Sequence, residues 1–208
     1  MLGDNLRIGI SMRVTDAVGY SEKRDSLSQD WPKYLSSVLP DAQWLLIPNI
    51  GTSVSDYVRK WGLNAFIFTG GENIGTSIIR DITEFELFDY ALKNNLPVLG
   101  VCRGLQLIYN KLGGTIESQS SVFVNIHRAK KHQIFINNEL KTVNSYHENR
   151  LLENTIPKEL NILAYCVDDN SIEAISGNNL LGIMWHPERE SEIQQWNAEL
   201  IIKFFYNR

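Results

Sequence analysis

Five residues, Gly100-Val101-Cys102-Arg103-Gly104, constrain this chain more than any other stretch. The apolar run Leu96-Pro97-Val98-Leu99 precedes them. Leu105-Gln106-Leu107-Ile108-Tyr109 follows, and the helical pattern closes at Gly113-Gly114. A strand, then Gly-x-Cys-x-Gly, then a helix is a nucleophile elbow with cysteine where the better-known version has serine. So tight a turn leaves no room for side chains at Gly100 and Gly104. It lifts the Cys102 side chain above the sheet and sets it at a helix N-terminus. There the helix dipole and free backbone N–H groups favour a thiolate.

The rest of the chain alternates short β-rich runs with helical stretches. Strands are expected at Arg7–Val14, Trp44–Pro48, Ala65–Thr69 and Pro97–Val101. Helices are expected over Ser26–Leu39, with a break or restart at Pro32, and over Ser53–Trp61. Thr83-x-x-Glu86 reads as a capping box for a further helix. This alternation predicts an α/β fold: a mostly parallel sheet with helices on both faces. After Gly114 the pattern turns antiparallel, with short runs at Ser121–Ile126, Gln133–Ile136 and Leu160–Val167. A hairpin is expected around Gly177-Asn178-Asn179, and a closing amphipathic helix over Glu192–Phe205. Residues 1–208 read as one domain of ordinary size.

Composition narrows the functional classes. A net charge of −4 argues against a nucleic-acid surface. No apolar run approaches the ~20 residues that cross a bilayer. Met1–Asn5 lacks the pattern of a signal peptide, so a cytoplasmic protein is expected. Cys102 and Cys166 are the two cysteines, too few for a disulfide scaffold.

A cysteine that attacks an amide needs a base, a group that orients the base, and an oxyanion hole. Of the four histidines, His186 stands apart. It ends the run Leu180–Trp185 and precedes Pro187-Glu188, so it leaves a strand where ligands collect in open α/β sheets. Glu188 is placed to hold the imidazole, which makes a Cys102-His186-Glu188 triad. The backbone N–H groups of Gly71 and Arg103 are the expected oxyanion donors. Cys166, in mid-strand, reads as a small buried hydrophobe. His127 and His132 lie in a polar stretch and read as surface or loop histidines. Their spacing does not suggest a metal site, and neither a metal nor a cofactor is expected.

At these residues the chain resembles the class I glutamine amidotransferase family, within it the γ-glutamyl hydrolase branch. The resemblance is carried by Thr69-Gly70-Gly71, Arg80-Asp81, Pro97 to Gln106, Val143 to His147, Ile172-Glu173-Ala174 and Trp185 to Glu188. It implies a flavodoxin-like sheet. It also implies that Gly70, Gln106, Asn144, Ser145, Tyr146 and His147 help hold a γ-glutamyl group. Arg103 would add a fixed cation at the mouth of the site, suited to an anionic group. The chain departs from the branch at Glu148-Asn149 and at Asn73, both on the expected leaving-group side.

Tyr20 to Trp31 resembles a segment of branch members acting on γ-glutamyl-CDP-amidate in the phosphoramidate decoration of capsular polysaccharide. That likeness implies leaving-group contacts from Tyr20, Glu22 and Arg24 and a nucleotide-linked small-molecule substrate. The plain alternative for this segment is a solvated helix start. Rival functions are hydrolysis of γ-glutamyl-γ-aminobutyrate, a glutaminase component passing ammonia to a synthase partner, and a non-catalytic binding protein.

Overall fold

A computed structural model describes residues 6–118 and 121–206; Met1–Asn5, with the expectation attached to them, lie outside the described residues. In chain order the elements are β1 (Arg7–Ser11), β2 (Arg13–Asp16), β3 (Lys23–Ser26), α1 (Asp30–Val38) and β4 (Gln43–Ile47). Then come α2 (Val54–Lys60), β5 (Ala65–Phe68), α3 (Ile78–Lys93), β6 (Val98–Val101) and α4 (Arg103–Lys111). The second half holds β7 (Ile116–Ser118), α5 (Ser121–His127), β8 (Lys130–Ile136), β9 (Glu139–Ser145) and β10 (Asn149–Leu151). It closes with β11 (Leu160–Cys166), β12 (Ile172–Gly177), β13 (Leu180–Ile183) and α6 (Gln195–Tyr206).

One nine-stranded sheet, in the order β4-β1-β5-β6-β13-β12-β11-β8-β9, runs through the molecule. From β4 to β13 the neighbours are parallel; from β13 outward they are antiparallel. The expected α/β sheet is therefore present, and its antiparallel extension continues the same sheet. Side-chain alternation divides the core. Ile67 and Leu99 face α1 and α6, joining Trp31, Leu35, Ile201 and Phe205. Phe66, Phe68 and Val98 face the other way, joining Val58, Leu87, Phe88, Leu105 and Ile108 of α2, α3 and α4.

Several local expectations are corrected. The first strand breaks at Met12, and β2 pairs with β3 as a separate hairpin, so Tyr20–Ser26 is not a helix start. Pro32 sits in the first turn of α1, where its missing N–H costs no helical bond. Thr83 does not cap a helix: α3 begins at Ile78, and the Thr83 hydroxyl donates to Ile79 O and accepts from Gly51 N. Ser121–Ile126 is helical, because Phe123 and His127, four apart, are the positions that bury and stack. Ile193 precedes α6 and is exposed.

Candidate active site

The elbow between β6 and α4 is held open by glycines. A Cβ on Gly104 would lie 2.1 Å from Phe68 O, and one on Gly100 would lie 2.5 Å from Gly104 C. With side chains excluded there, β6 turns into α4 through Cys102, whose φ of 52° lies in the left-handed region a non-glycine residue adopts at a cost. Its N–H donates to Ile183 O at 2.8 Å, which ties the turn to β13.

His186 emerges just beyond the end of β13. Its Nδ1 lies 2.7 Å from Glu188 Oε1. The ring packs over Gly70, where a Cβ would meet His186 Cε1 at 2.5 Å and Cys102 Cβ at 3.6 Å. Glycine at 70 thus lets imidazole and thiol share one space. Burial works against the charge on His186, but Glu188 and the Cys102 side chain outweigh it and raise its pKa to about 9. Burial likewise opposes a Cys102 thiolate, yet the His186 hydrogen bond and charge bring that thiol below its ordinary value. Both shifts run toward a thiolate–imidazolium pair.

Asn144 has a role that the γ-glutamyl expectation did not cover. Its Oδ1 accepts from His186 N at 2.8 Å, and its Nδ2 donates to His186 O and to Glu190 Oε1, both at 2.7 Å. The end of β9 thus grips the backbone of the histidine. Ser145 is buried beside it. Tyr146 is partly exposed, with its ring edge-to-face with His186 at 5.5 Å and Arg189 stacked over it at 4.6 Å.

A cavity of about 260 Å³ opens at the thiol. Gly71, Gln106, Tyr146 and His147 line it with Cys102, and Asn73, Arg128, Glu148 and Asn149 form its rim. Asn149 Nδ2 donates to Asn73 Oδ1 at 2.9 Å and to Gln106 Oε1 at 3.2 Å, a row of amides leading in from the rim. A larger hollow at Phe135, Leu140 and Tyr165 contains none of these residues.

The Arg103 side chain does not reach the mouth of the site. It is buried and ion-paired with Glu84 and Asp81, because α4 turns its first residue toward α3. Arg80 completes this cage. It donates to Glu84 and Glu72, each at 3.0 Å, and to Thr69 O at 2.9 Å and Gly70 O at 3.2 Å. It fixes the loop carrying Gly71, whose φ of 149° and contact with Arg80 exclude a side chain. Sequence reading missed the cage because like and unlike charges on one helix do not reveal which way they point.

Tyr20, Glu22 and Arg24 sit on the exposed β2–β3 hairpin and bind one another. Arg24 Nε lies 2.5 Å from Glu22 Oε1, and Arg24 also meets the Tyr20 hydroxyl. None of the three lines the cavity. The hairpin does adjoin the site loop: Val14 N donates to Glu72 Oε1 at 3.4 Å, and Arg13 Nε lies 3.8 Å from Glu72 Oε2.

His127 and His132 are buried, contrary to the surface reading. With His147 they surround Glu173 of β12. Burial opposes the Glu173 charge, but His147 and His132 hold its carboxyl down to about 2. A five-residue spacing in a lysine-rich stretch could not show that α5 and β8 fold both rings inward.

An elbow cysteine, a carboxylate-held histidine and a glycine loop on a parallel sheet define an α/β amidotransferase-type fold. The sequence model of the glutamine amidotransferase class-I family matches residues 65–207, and the chain belongs to that family. It is 30% identical over 206 residues to a γ-glutamyl-CDP-amidate hydrolase of Campylobacter jejuni, covering 95% of this chain and 96% of that one. It is 31% identical over 161 residues to a glutamine-hydrolysing GMP synthase component of Methanococcus vannielii, covering 74% of this chain and 78% of that one. A solved structure of a candidate GMP synthase component from Thermoplasma acidophilum superposes with a TM-score of 0.68 at 18% identity. That match covers 96% of this chain and 92% of that one, and it supports the fold.

Proposed function

We propose that the chain is a cysteine-dependent hydrolase of γ-glutamyl amides, acting on γ-glutamyl-CDP-amidate. The observation that carries this reading is the 2.7 Å contact of His186 Nδ1 with Glu188 on a ring packed against Cys102. The relative in Campylobacter jejuni supports the choice of substrate.

The Cys102 thiolate attacks the γ-carbonyl carbon, and the Gly71 and Arg103 N–H groups receive the oxyanion. Imidazolium at His186 protonates the departing nitrogen as the C–N bond breaks. His186, now neutral, takes a proton from water, which attacks the thioester and frees glutamate. Glu188 keeps the ring in place. Cytidine diphosphoramidate leaves with the proton on nitrogen. Gln106, Tyr146 and His147, which line the cavity, bound the glutamyl side. With the Arg103 guanidinium turned away, the cations near a diphosphate are Arg128 on the rim, Arg13 beside Glu72 and Arg189 over Tyr146. On this reading the chain works in the cytoplasm, in capsular phosphoramidate biosynthesis. Among the described residues no helix is long and apolar enough to cross a membrane.

The test is glutamate release across a panel of γ-glutamyl compounds, with the Cys102→Ala protein as blank. Preference for γ-glutamyl-CDP-amidate over γ-glutamyl-γ-aminobutyrate is expected; the reverse would replace the substrate. The likeness to a GMP synthase component favours a second reading, an ammonia-delivering glutaminase. Turnover of free glutamine that rises only with a synthase partner would select it.

A further inference from the structure

We propose that His127, His147 and Glu173 bind a divalent cation of the zinc class behind the wall of the catalytic cavity. The inference does not rest on the γ-glutamyl reading. The three residues come from α5, the turn after β9, and β12, and all are buried. Their donor atoms lie within 4.8 Å of one another.

The far side of each ring is already engaged. His127 Nε2 lies 3.0 Å from Asp169 Oδ2, and Asp169 is itself held by Ser171 N at 3.0 Å. His147 Nδ1 lies 3.0 Å from Asn149 O. A neutral imidazole held this way carries its proton on the engaged nitrogen and a lone pair on the other. The carboxylate or carbonyl behind each metal-ligating histidine follows this pattern. Here the free nitrogens, His127 Nδ1 and His147 Nε2, converge on Glu173 Oε1, which is an acceptor too.

Lone pairs that face a carboxylate need a cation between them. The separations are 3.6 Å for His127 and 3.3 Å for His147. A charge-assisted hydrogen bond spans about 2.7–2.9 Å. Ligand arms of about 2.0–2.1 Å at a tetrahedral ion put donors roughly 3.3–3.4 Å apart. Both free nitrogens are buried without a hydrogen-bond partner, as are Glu173 Oε2 and His132 Nε2. His132 Nε2 lies 3.3 Å from Glu173 Oε2, and its ring centroid lies 4.8 Å from that of His127, so His132 or water takes the fourth position. Two imidazoles and one carboxylate are a zinc-type donor set. Without a metal, protons on the imidazoles supply the missing charge. With one, the ion ties α5, β12 and the turn after β9 together behind His147.

The experiment measures metal directly. Intact protein is stripped with chelator, checked for fold by circular dichroism, and titrated with Co²⁺ and then Zn²⁺. We expect one equivalent retained per chain through desalting, a tetrahedral Co²⁺ spectrum, and displacement by Zn²⁺. His127→Gln should weaken binding at least about 100-fold, and Asp169→Asn, outside the ligand shell, by roughly 10–100-fold. Cys102→Ser and Cys166→Ser should retain the ion. Retention below about 0.1 equivalent by folded wild-type protein overturns the site in favour of imidazolium protons. Binding that disappears with Cys102→Ser and survives His127→Gln also overturns it, because the ion would then sit on the nucleophile. Metal content is read without substrate, so this outcome is separate from any failure of the hydrolase reading.

Discussion

On one side of Cys102, Arg80 and Arg103 meet Glu72, Asp81 and Glu84 in contacts of hydrogen-bonding length. On the other side, His127, His132 and His147 meet Glu173 across 3.3 to 3.6 Å, with buried nitrogens left unpartnered. Both clusters neutralise buried carboxylates, but with different cations. A guanidinium never gives up its proton, and its fork locks carboxylates in place. That makes the arginine cage a fixed frame for the Gly70–Gly71 loop and the start of α4. Imidazole exchanges protons near neutral pH and offers a lone pair. In the histidine cluster such lone pairs are what the proposed cation would bind. Arginine support stands beside Cys102, and the imidazoles stand behind His147.

Mutations can break this contrast, beginning with the residue between the clusters. Cys102→Ala should lower glutamate release by at least about 10⁴-fold, as loss of a catalytic member does elsewhere, with little change in urea unfolding. Any cluster variant that matched this loss at full stability would show that the clusters join in the chemistry. Glu84→Gln should cost roughly 3–5 kcal/mol of stability, because Arg80 and Arg103 lose a shared buried partner. Urea denaturation measures this, and a loss under about 1 kcal/mol would mean the cage is not closed.

Glu188→Gln should reduce turnover by roughly 10²-fold and reshape the pH profile of kcat/KM. Glu188 raises the His186 pKa, so the alkaline limb set near 9 should move down toward the ordinary imidazole value. An unmoved limb would assign that limb to another group. The smallest effect is expected at His132→Gln, about 1 kcal/mol, since His147, the larger support of the Glu173 charge, stays in place and neither His132 ring nitrogen makes a hydrogen bond. A loss as large as that of Glu84→Gln would erase the distinction between the two clusters.

What the sequence made legible follows from local sterics. Gly100 and Gly104 announce the elbow because no other residue fits, and Asn178-Asn179 closes the β12–β13 hairpin as expected. His186 and Glu188 were legible as a pair because two residues on a short turn must lie close together. Directions across the fold were hidden. Arg103 follows Cys102 in sequence, yet its side chain runs back to α3. His127 and His132 look solvated by their lysine neighbours, but one closes a helix and the other alternates inward on β8. Burial of that kind depends on strands far away along the chain, and no local pattern carries it.

The grip of Asn144 on His186 bears on any attempt to graft new outer strands onto this scaffold. The β8–β9 hairpin ends the sheet and invites exchange as a cassette for changing the rim of the cavity. Asn144 lies in β9, yet its amide brackets the N–H and C=O of the histidine 42 residues away. A transplant joined before position 144 keeps the His186 ring in register. One that replaces this single amide takes away the pin on which the ring is mounted, however well the new strands pair.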